Sequence, residues 1–218
     1  MSTVRRPYQN RVTPFGEVVA TEARGLFLGN RGGRFHDNET RALTRRRWAS
    51  RQWICCLLEF RSRRMEVFGP NRYTQLFFLD EATALAAGHR PCFECRRADA
   101  NRFRTAFVAG NPGLALAANV PAPELDRILH SQRLLPDGGK RTFAADANTL
   151  PEGTMVTFLP ERDAWLAWGG ELHRWAPGGY CDRMPLHAGP CTVLTPPAVV
   201  GALRAGYVPV VHPSAATR

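Results

Sequence analysis

The chain has 218 residues, 44% hydrophobic and 22% charged, which is enough to bury a sizeable core and too apolar for a disordered segment. No apolar run reaches the roughly 18 residues that a membrane span needs, and none follows Met1 as a secretory signal would, so no membrane association and a cytoplasmic location are expected. The net charge of +10 lies in one half: residues 1–110 hold 20 Arg against 10 Asp and Glu, whereas residues 111–218 hold 9 basic and 9 acidic residues.

Lys140 is the single lysine, so the basic surface is guanidinium, suited to bidentate phosphate contacts. Nucleic acid, and DNA in particular, is the expected partner. Six cysteines without a secretory signal favour reduced thiols and a metal over a disulfide framework.

Taken in order, residues 16–20 read as a strand. Residues 24–34, punctuated by Gly25, Gly29, Gly32 and Gly33, read as a loop that lets backbone approach a phosphate. Arg11, Asn30, Arg31 and Arg34 are its candidate DNA contacts, although an ordinary glycine-rich turn between strands explains the pattern equally well. The loop lacks the Gly-Lys-Ser/Thr ending of a Walker motif, so no nucleotide cofactor is expected. Residues 40–51 read as a basic helix that places Arg45, Arg46 and Arg47 on phosphates. Residues 53–60 and 64–79 read as two strands paired in a hairpin around Arg61, Ser62 and Arg63.

Residues 77–97 carry the densest signal. An apolar strand end (Phe77, Phe78, Leu79) meets Asp80, well placed as a helix N-cap, and Glu81 suits the positive end of the dipole. The Ala-rich stretch 82–87 favours helix, and Gly88 suits the left-handed position that closes one. Cys92-Phe93-Glu94-Cys95 then supplies two thiols on a tight turn, half of a tetrahedral zinc site.

The string Ala84-Leu85-Ala86-Ala87-Gly88-His89-Arg90-Pro91-Cys92-Phe93-Glu94-Cys95-Arg96 resembles the second half of the Ada-type zinc domain of bacterial alkylation-repair proteins. That resemblance implies a structural Zn2+ and a grip on DNA. The family also carries an upstream C-x-x-x-C pair whose first cysteine accepts a methyl group from a DNA phosphotriester. This chain has Cys55-Cys56 there instead, on a segment that reads as a strand, so one thiol faces the metal and the other faces away. The candidate ligand set is His36, Cys56, Cys92 and Cys95, with Cys55 a rival to Cys56 and His89 a rival to His36.

Residues 99–108 have helical spacing, with Phe103 and Phe107 on one face. Gly110-Asn111-Pro112-Gly113 is a breaker cluster and the expected domain boundary, followed by a linker over 111–123. Residues 123–135 read as an amphipathic helix closed by Asp137-Gly138-Gly139. From Lys140 onward short apolar runs alternate with turns, a β-rich pattern, with a short helix over 199–207. Trp165, Trp168, Trp175 and Tyr180 crowd together as either β-core or a stacking surface for an extruded base. The expected fold class is α+β: a basic zinc lobe over 1–110 and a β-rich lobe over 124–218.

No HExxH helix, nucleophile elbow or dinucleotide fingerprint is present. Pro91-Cys92 and Cys95 fit the P-C-x-x-C fragment of zinc deaminases, but His36 and Glu39 are one residue too far apart for their H-x-E. The remaining enzyme class is a DNA glycosylase, which needs a carboxylate, basic residues for the phosphates and a base pocket. Glu17 and Asp37, flanking the arginine-rich loop, are the candidate catalytic carboxylates. The chain therefore reads as a zinc protein acting on damaged or chemically modified DNA by excising a base, for repair or defence against invading DNA. A non-catalytic DNA-binding module and a cysteine methyl acceptor are the alternatives.

Overall fold

The structure, a computed structural model, describes residues 7–61 and 66–216. Its first half contains strands β1 (Gln9–Val12), β2 (Val18–Ala20), β3 (Phe27–Arg31), β4 (Trp53–Leu57) and β5 (Leu76–Phe78), then helix α1 (Glu81–Ala86) and strand β6 (Arg90–Pro91). These strands form one sheet in the order β2-β1-β5-β3-β4-β6. Helices α2 (Arg97–Ala109) and α3 (Ala122–Arg133) follow. A second sheet takes β7 (Phe143–Asp146), β8 (Met155–Thr157), β9 (Ala164–Trp168), β10 (Glu171–Ala176), β11 (Gly179–Pro185) and β12 (Pro190–Val193) in the order β11-β10-β9-β8-β12-β7. Helix α4 (Pro197–Arg204) ends the regular structure. The fold is α+β with a β-rich second half, and no helix among the described residues is long and apolar enough to cross a membrane.

Strand β4 positions both sites described below. It pairs antiparallel with β3, placing Arg31 opposite Trp53, and parallel with β6, placing Cys55 opposite Pro91. Side chains alternate along a strand, so Trp53 and Cys55 turn into the interior while Ile54 and Cys56 turn to the other face. Helix α1 starts as the sequence implies: the Asp80 carboxylate accepts from the Thr83 N–H at 2.8 Å.

Several expectations are corrected. The middle of the glycine-punctuated stretch is not a loop, because residues 27–31 form β3 between β5 and β4; Gly32 and Gly33, with φ of +74° and +149°, form the bend that follows it. Gly29 is there for packing, since a Cβ would sit 2.2 Å from the Ile54 carbonyl oxygen. Residues 40–51 form no helix. Their amides are taken by other partners, Thr44 by the Phe35 carbonyl and Ala49 by the Arg31 carbonyl. Three successive arginines without acidic neighbours to offset them also disfavour a helix there. Strand β4 does not pair with the segment after it, because β3 lies between β4 and β5. The expected hairpin turn runs into residues 62–65, outside the described residues.

The two halves also fail to separate at residue 110. Leu79, Ala82 and Ala86 pack with Met155, Leu166 and Leu194 of the second half, and Leu85, Phe103 and Phe107 pack with Leu125, Val199 and Tyr207. The expected linker is mostly exposed but anchored: Val120 is fully buried, and Asn111 Nδ2 donates to the carbonyls of Phe107 and Ala198 at 2.7 and 2.9 Å. Gly and Pro end helix α2 without ending the core.

Candidate functional site

The thiols of Cys56, Cys92 and Cys95 lie within 4.8 Å of one another and form a group able to hold a metal ion. Zinc–sulfur bonds of about 2.3 Å in a tetrahedron put sulfurs about 3.8 Å apart, so the spacing suits such an ion. The local sequence builds this turn: Cys92 N–H donates to the Cys55 carbonyl at 3.0 Å, and the Glu94 N–H reaches the Cys92 sulfur at 3.4 Å. Hydrogen bonds from Cys56 and Cys95 pull the Cys92 thiol far down, and the contact with Cys92 pushes Cys56 far up, as expected where one thiolate is shared among three sulfurs. A cleft of about 150 Å³ opens beside them, lined by Asn30, Leu57, Phe60 and Tyr73 among others.

Of the two rival cysteines it is therefore Cys56 that joins the group. Cys55 is buried on the opposite face, 3.5 Å from Arg96 Nη1, with its thiol raised by burial. Neither histidine joins the group. His36 is stacked on Phe68 at 4.7 Å, with Nδ1 2.9 Å from Thr74 Oγ1. His89 is fully buried, packed against Trp53 and Phe78, and its Nε2 accepts from Arg31 Nε at 3.4 Å. Residues 1–6, 62–65 and 217–218 contain no Cys, His, Asp or Glu to supply a fourth donor of those types.

A second site lies at the other end of β4. A cavity of about 510 Å³ is lined by five cations (Arg31, Arg47, Arg133, Lys140 and Arg162) and by the aromatic rings of Phe15, Trp48 and Trp53. Glu17 is its single carboxylate. The Arg31 and Arg133 guanidinium carbons lie 4.0 and 3.9 Å from the Trp53 ring centroid, and both arginines are buried. Backbone carbonyls hold them: Arg31 Nη2 donates to Gly16 at 2.8 Å, while Arg133 donates to Gly88 at 2.9 Å and to Arg51 at 2.7 Å. Arg133 Nε is buried with no partner.

Lys140 is half-buried, and its ammonium donates to the Ala86 carbonyl. Burial, with Arg47 nearby, brings Arg31 down to about 9, and burial beside Arg31 brings Arg133 to about 8. Burial and these two guanidiniums bring Lys140 to about 7. Concentrated positive charge without a matching acid is a field poised for an anion.

The segments that assemble this cavity are distant in sequence. The buried bidentate pair of Arg90 with Asp126, at 2.9 and 2.8 Å, anchors α3 to β6. Helix α3 ends at Arg133, and a turn through Asp137, Gly138 and Gly139 returns the chain so that Lys140 bridges Leu134. Gly88 gives Arg133 its room, because a Cβ at that residue would meet Arg133 Cδ at 2.6 Å.

The other sequence candidates scatter. Arg31, Arg47 and Glu17 line the cavity; Glu17 is exposed, 3.6 Å from Arg162. Asp37 is exposed and its Oδ1 accepts from the amides of Glu39 and Thr40 and from the Thr40 hydroxyl, bonds that hold a turn and lower its carboxyl. Asn30 lies in β3 beside the thiol cleft, and its Oδ1 accepts from the Gly32 N–H at 2.9 Å. Arg11 is half-buried and donates to the Ala23 carbonyl at 2.6 Å. Arg34, Arg45 and Arg46 are exposed, Arg34 beside Asn38 and Arg46 donating to the Ala49 carbonyl.

Trp165, Trp168, Trp175 and Tyr180 belong to the core or pack against it, and Tyr180 Oη donates to Asp80 at 2.7 Å. The partly exposed aromatic rings at the cavity are instead Trp48 and Phe15, with Trp53 buried beneath Arg31 and Arg133. Sequence reasoning missed Trp53, Arg133 and Lys140; the one available signal was a sole lysine placed directly after an Asp-Gly-Gly turn. Compared with known proteins, the chain matches no family model, no curated protein and no solved structure.

Proposed function

We propose that the chain is a zinc-holding, DNA-binding enzyme of the cytoplasm that removes a damaged or chemically modified base. The observation that carries this reading is the cavity whose buried floor is Arg31, Arg133 and Trp53 and whose exposed residues include Glu17, Arg47 and Arg162. Its volume lies within the range of sites that enclose a small ligand. Guanidiniums suit the phosphates flanking an everted nucleotide, and the rings of Trp48 and Phe15 suit stacking on its base.

Glu17, the single carboxylate at the cavity, is assigned to water activation or to stabilising an oxocarbenium-like sugar. Asp37 is withdrawn from that role, because a turn occupies it. Cys56, Cys92 and Cys95 would hold zinc, which supplies a structural cross-link at the knuckle. No catalytic step is assigned to the metal.

The test incubates labelled duplexes carrying alkylated, oxidised, deaminated or bulky 5-substituted bases with the full chain, followed by alkali. Strand breaks with repeated turnover are expected on one substrate class, and Glu17→Gln is expected to slow them by about 100-fold or more while DNA still binds. Binding should weaken steeply with added salt as phosphate contacts release counterions. An intact panel together with salt-sensitive binding would identify a binding module instead.

A second reading rests on the partial exposure of Cys56 and its place in the wall of the cleft, which suits an alkyl acceptor. A single, once-only mass gain on Cys56 after incubation with alkylated DNA would establish it.

A further inference from the structure

We propose that Lys140 is an imine-forming nucleophile, so that the cavity also cleaves the DNA strand at an abasic site. This rests on the reading of the cavity as a DNA site. An abasic site joins an aldehyde carbon to flanking phosphates, and the cavity joins one amine to four guanidiniums. Lys140 is the only lysine in the chain, so every other fixed side-chain cation here is an arginine, which cannot serve as an amine nucleophile.

The placement of Lys140 matches what an amine nucleophile needs. A lysine becomes a nucleophile near neutral pH when it is desolvated or set beside other cations. Arg31 and Arg133 are those cations, while Arg47, Arg162 and the carboxylate of Glu17 are the remaining charged groups lining the cavity. Burial and the two buried guanidiniums bring its ammonium to about 7, so a large part is free amine at physiological pH. The Ala86 carbonyl and the bridge to Leu134 hold it at the wall.

The chemistry balances without an outside reagent. The Lys140 nitrogen adds to C1′ of the ring-opened sugar, and water leaves as the C=N bond forms. A proton departs from C2′ to a base at the cavity, where Glu17 is the single carboxylate, and the C3′–O bond breaks with its electron pair leaving on the 3′ phosphate. Hydrolysis of the imine returns the free amine.

The experiment supplies a duplex with one abasic site, so that it does not depend on base removal. The full chain is incubated with this DNA and sodium cyanoborohydride, which reduces an imine to a stable secondary amine, and the adduct is located by peptide mass. One adduct on Lys140 is expected, with a yield that rises as pH passes through about 7. Lys140→Arg, which keeps the charge, should lose the adduct while its melting temperature stays near that of the parent.

No adduct, or an adduct on the α-amine alone, overturns the proposal. Mapping in the parent protein decides the matter even if the variant fails to fold. Base removal measured on the same preparation separates the two readings: excision without an adduct sinks the lyase step alone, and an adduct without excision sinks the hydrolysis step alone.

Discussion

At the scale of single residues, the two neighbours Cys55 and Cys56 have opposite fates. Strand alternation turns Cys56 toward Cys92 and Cys95 and buries Cys55 against Arg96. The expected consequence is specific: Cys56→Ser, Cys92→Ser or Cys95→Ser should each lose one bound zinc per chain, whereas Cys55→Ser should keep it. Metal content by elemental analysis reads this directly. Because metal binding contributes to folding, the three metal-losing variants should also melt several degrees lower than the zinc-loaded parent. Retention of a full equivalent of zinc in Cys92→Ser would refute the three-thiol site.

At the scale of elements, the glycine that closes α1 links the knuckle segment to the cavity. Gly88 has φ of +85°, and any Cβ would lie 2.6–2.8 Å from the Arg133 side chain. Arg133 has little freedom to move aside, since Gly88 and Arg51 carbonyls hold both ends of its guanidinium and Trp53 lies 3.9 Å away. Gly88→Ala should therefore destabilise by about 1–3 kcal/mol, from the left-handed backbone and the clash together. Denaturant unfolding would show this, and a change under about 0.5 kcal/mol would mean that Arg133 is not fixed.

The same elements show what the sequence could disclose. Asp80 as a cap, Gly88 as a stop and the thiol pair of Cys92 and Cys95 were legible because each signal lies within a few residues. The helical face of Phe103 and Phe107 was legible for the same reason. The cavity was not, because Arg31, Trp53, Gly88, Arg133 and Lys140 meet only through sheet register and the Arg90–Asp126 pair. Gly29 misled because glycine serves close strand packing as readily as a loop, whereas Gly32 and Gly33 do form a bend.

At the scale of the whole molecule, the junction at Asp80 and Glu81 decides whether the halves are independent. Both carboxylates are buried. Asp80 accepts from Tyr180 Oη at 2.7 Å and from the His212 N–H at 3.0 Å. Glu81 pairs with Arg96 at 2.8 Å and accepts from Tyr207 Oη at 2.6 Å and from the Val210 N–H at 3.0 Å. Four of these five donors belong to the second half. A fragment of residues 1–110 would lose them, uncover Leu79, Ala82, Leu85 and Ala86, and leave two acids short of partners. Losing one hydrogen bond to a buried charged group costs roughly 1.5–3 kcal/mol, so four such losses exceed a large part of an ordinary domain's stability. The fragment should therefore fail to fold even with zinc, and the intact chain should unfold in one transition whose calorimetric and van't Hoff enthalpies agree. Two resolved transitions, or a fragment with native-like amide protection, would show that the first half stands alone and that the carboxylate junction is a docking contact between independent domains.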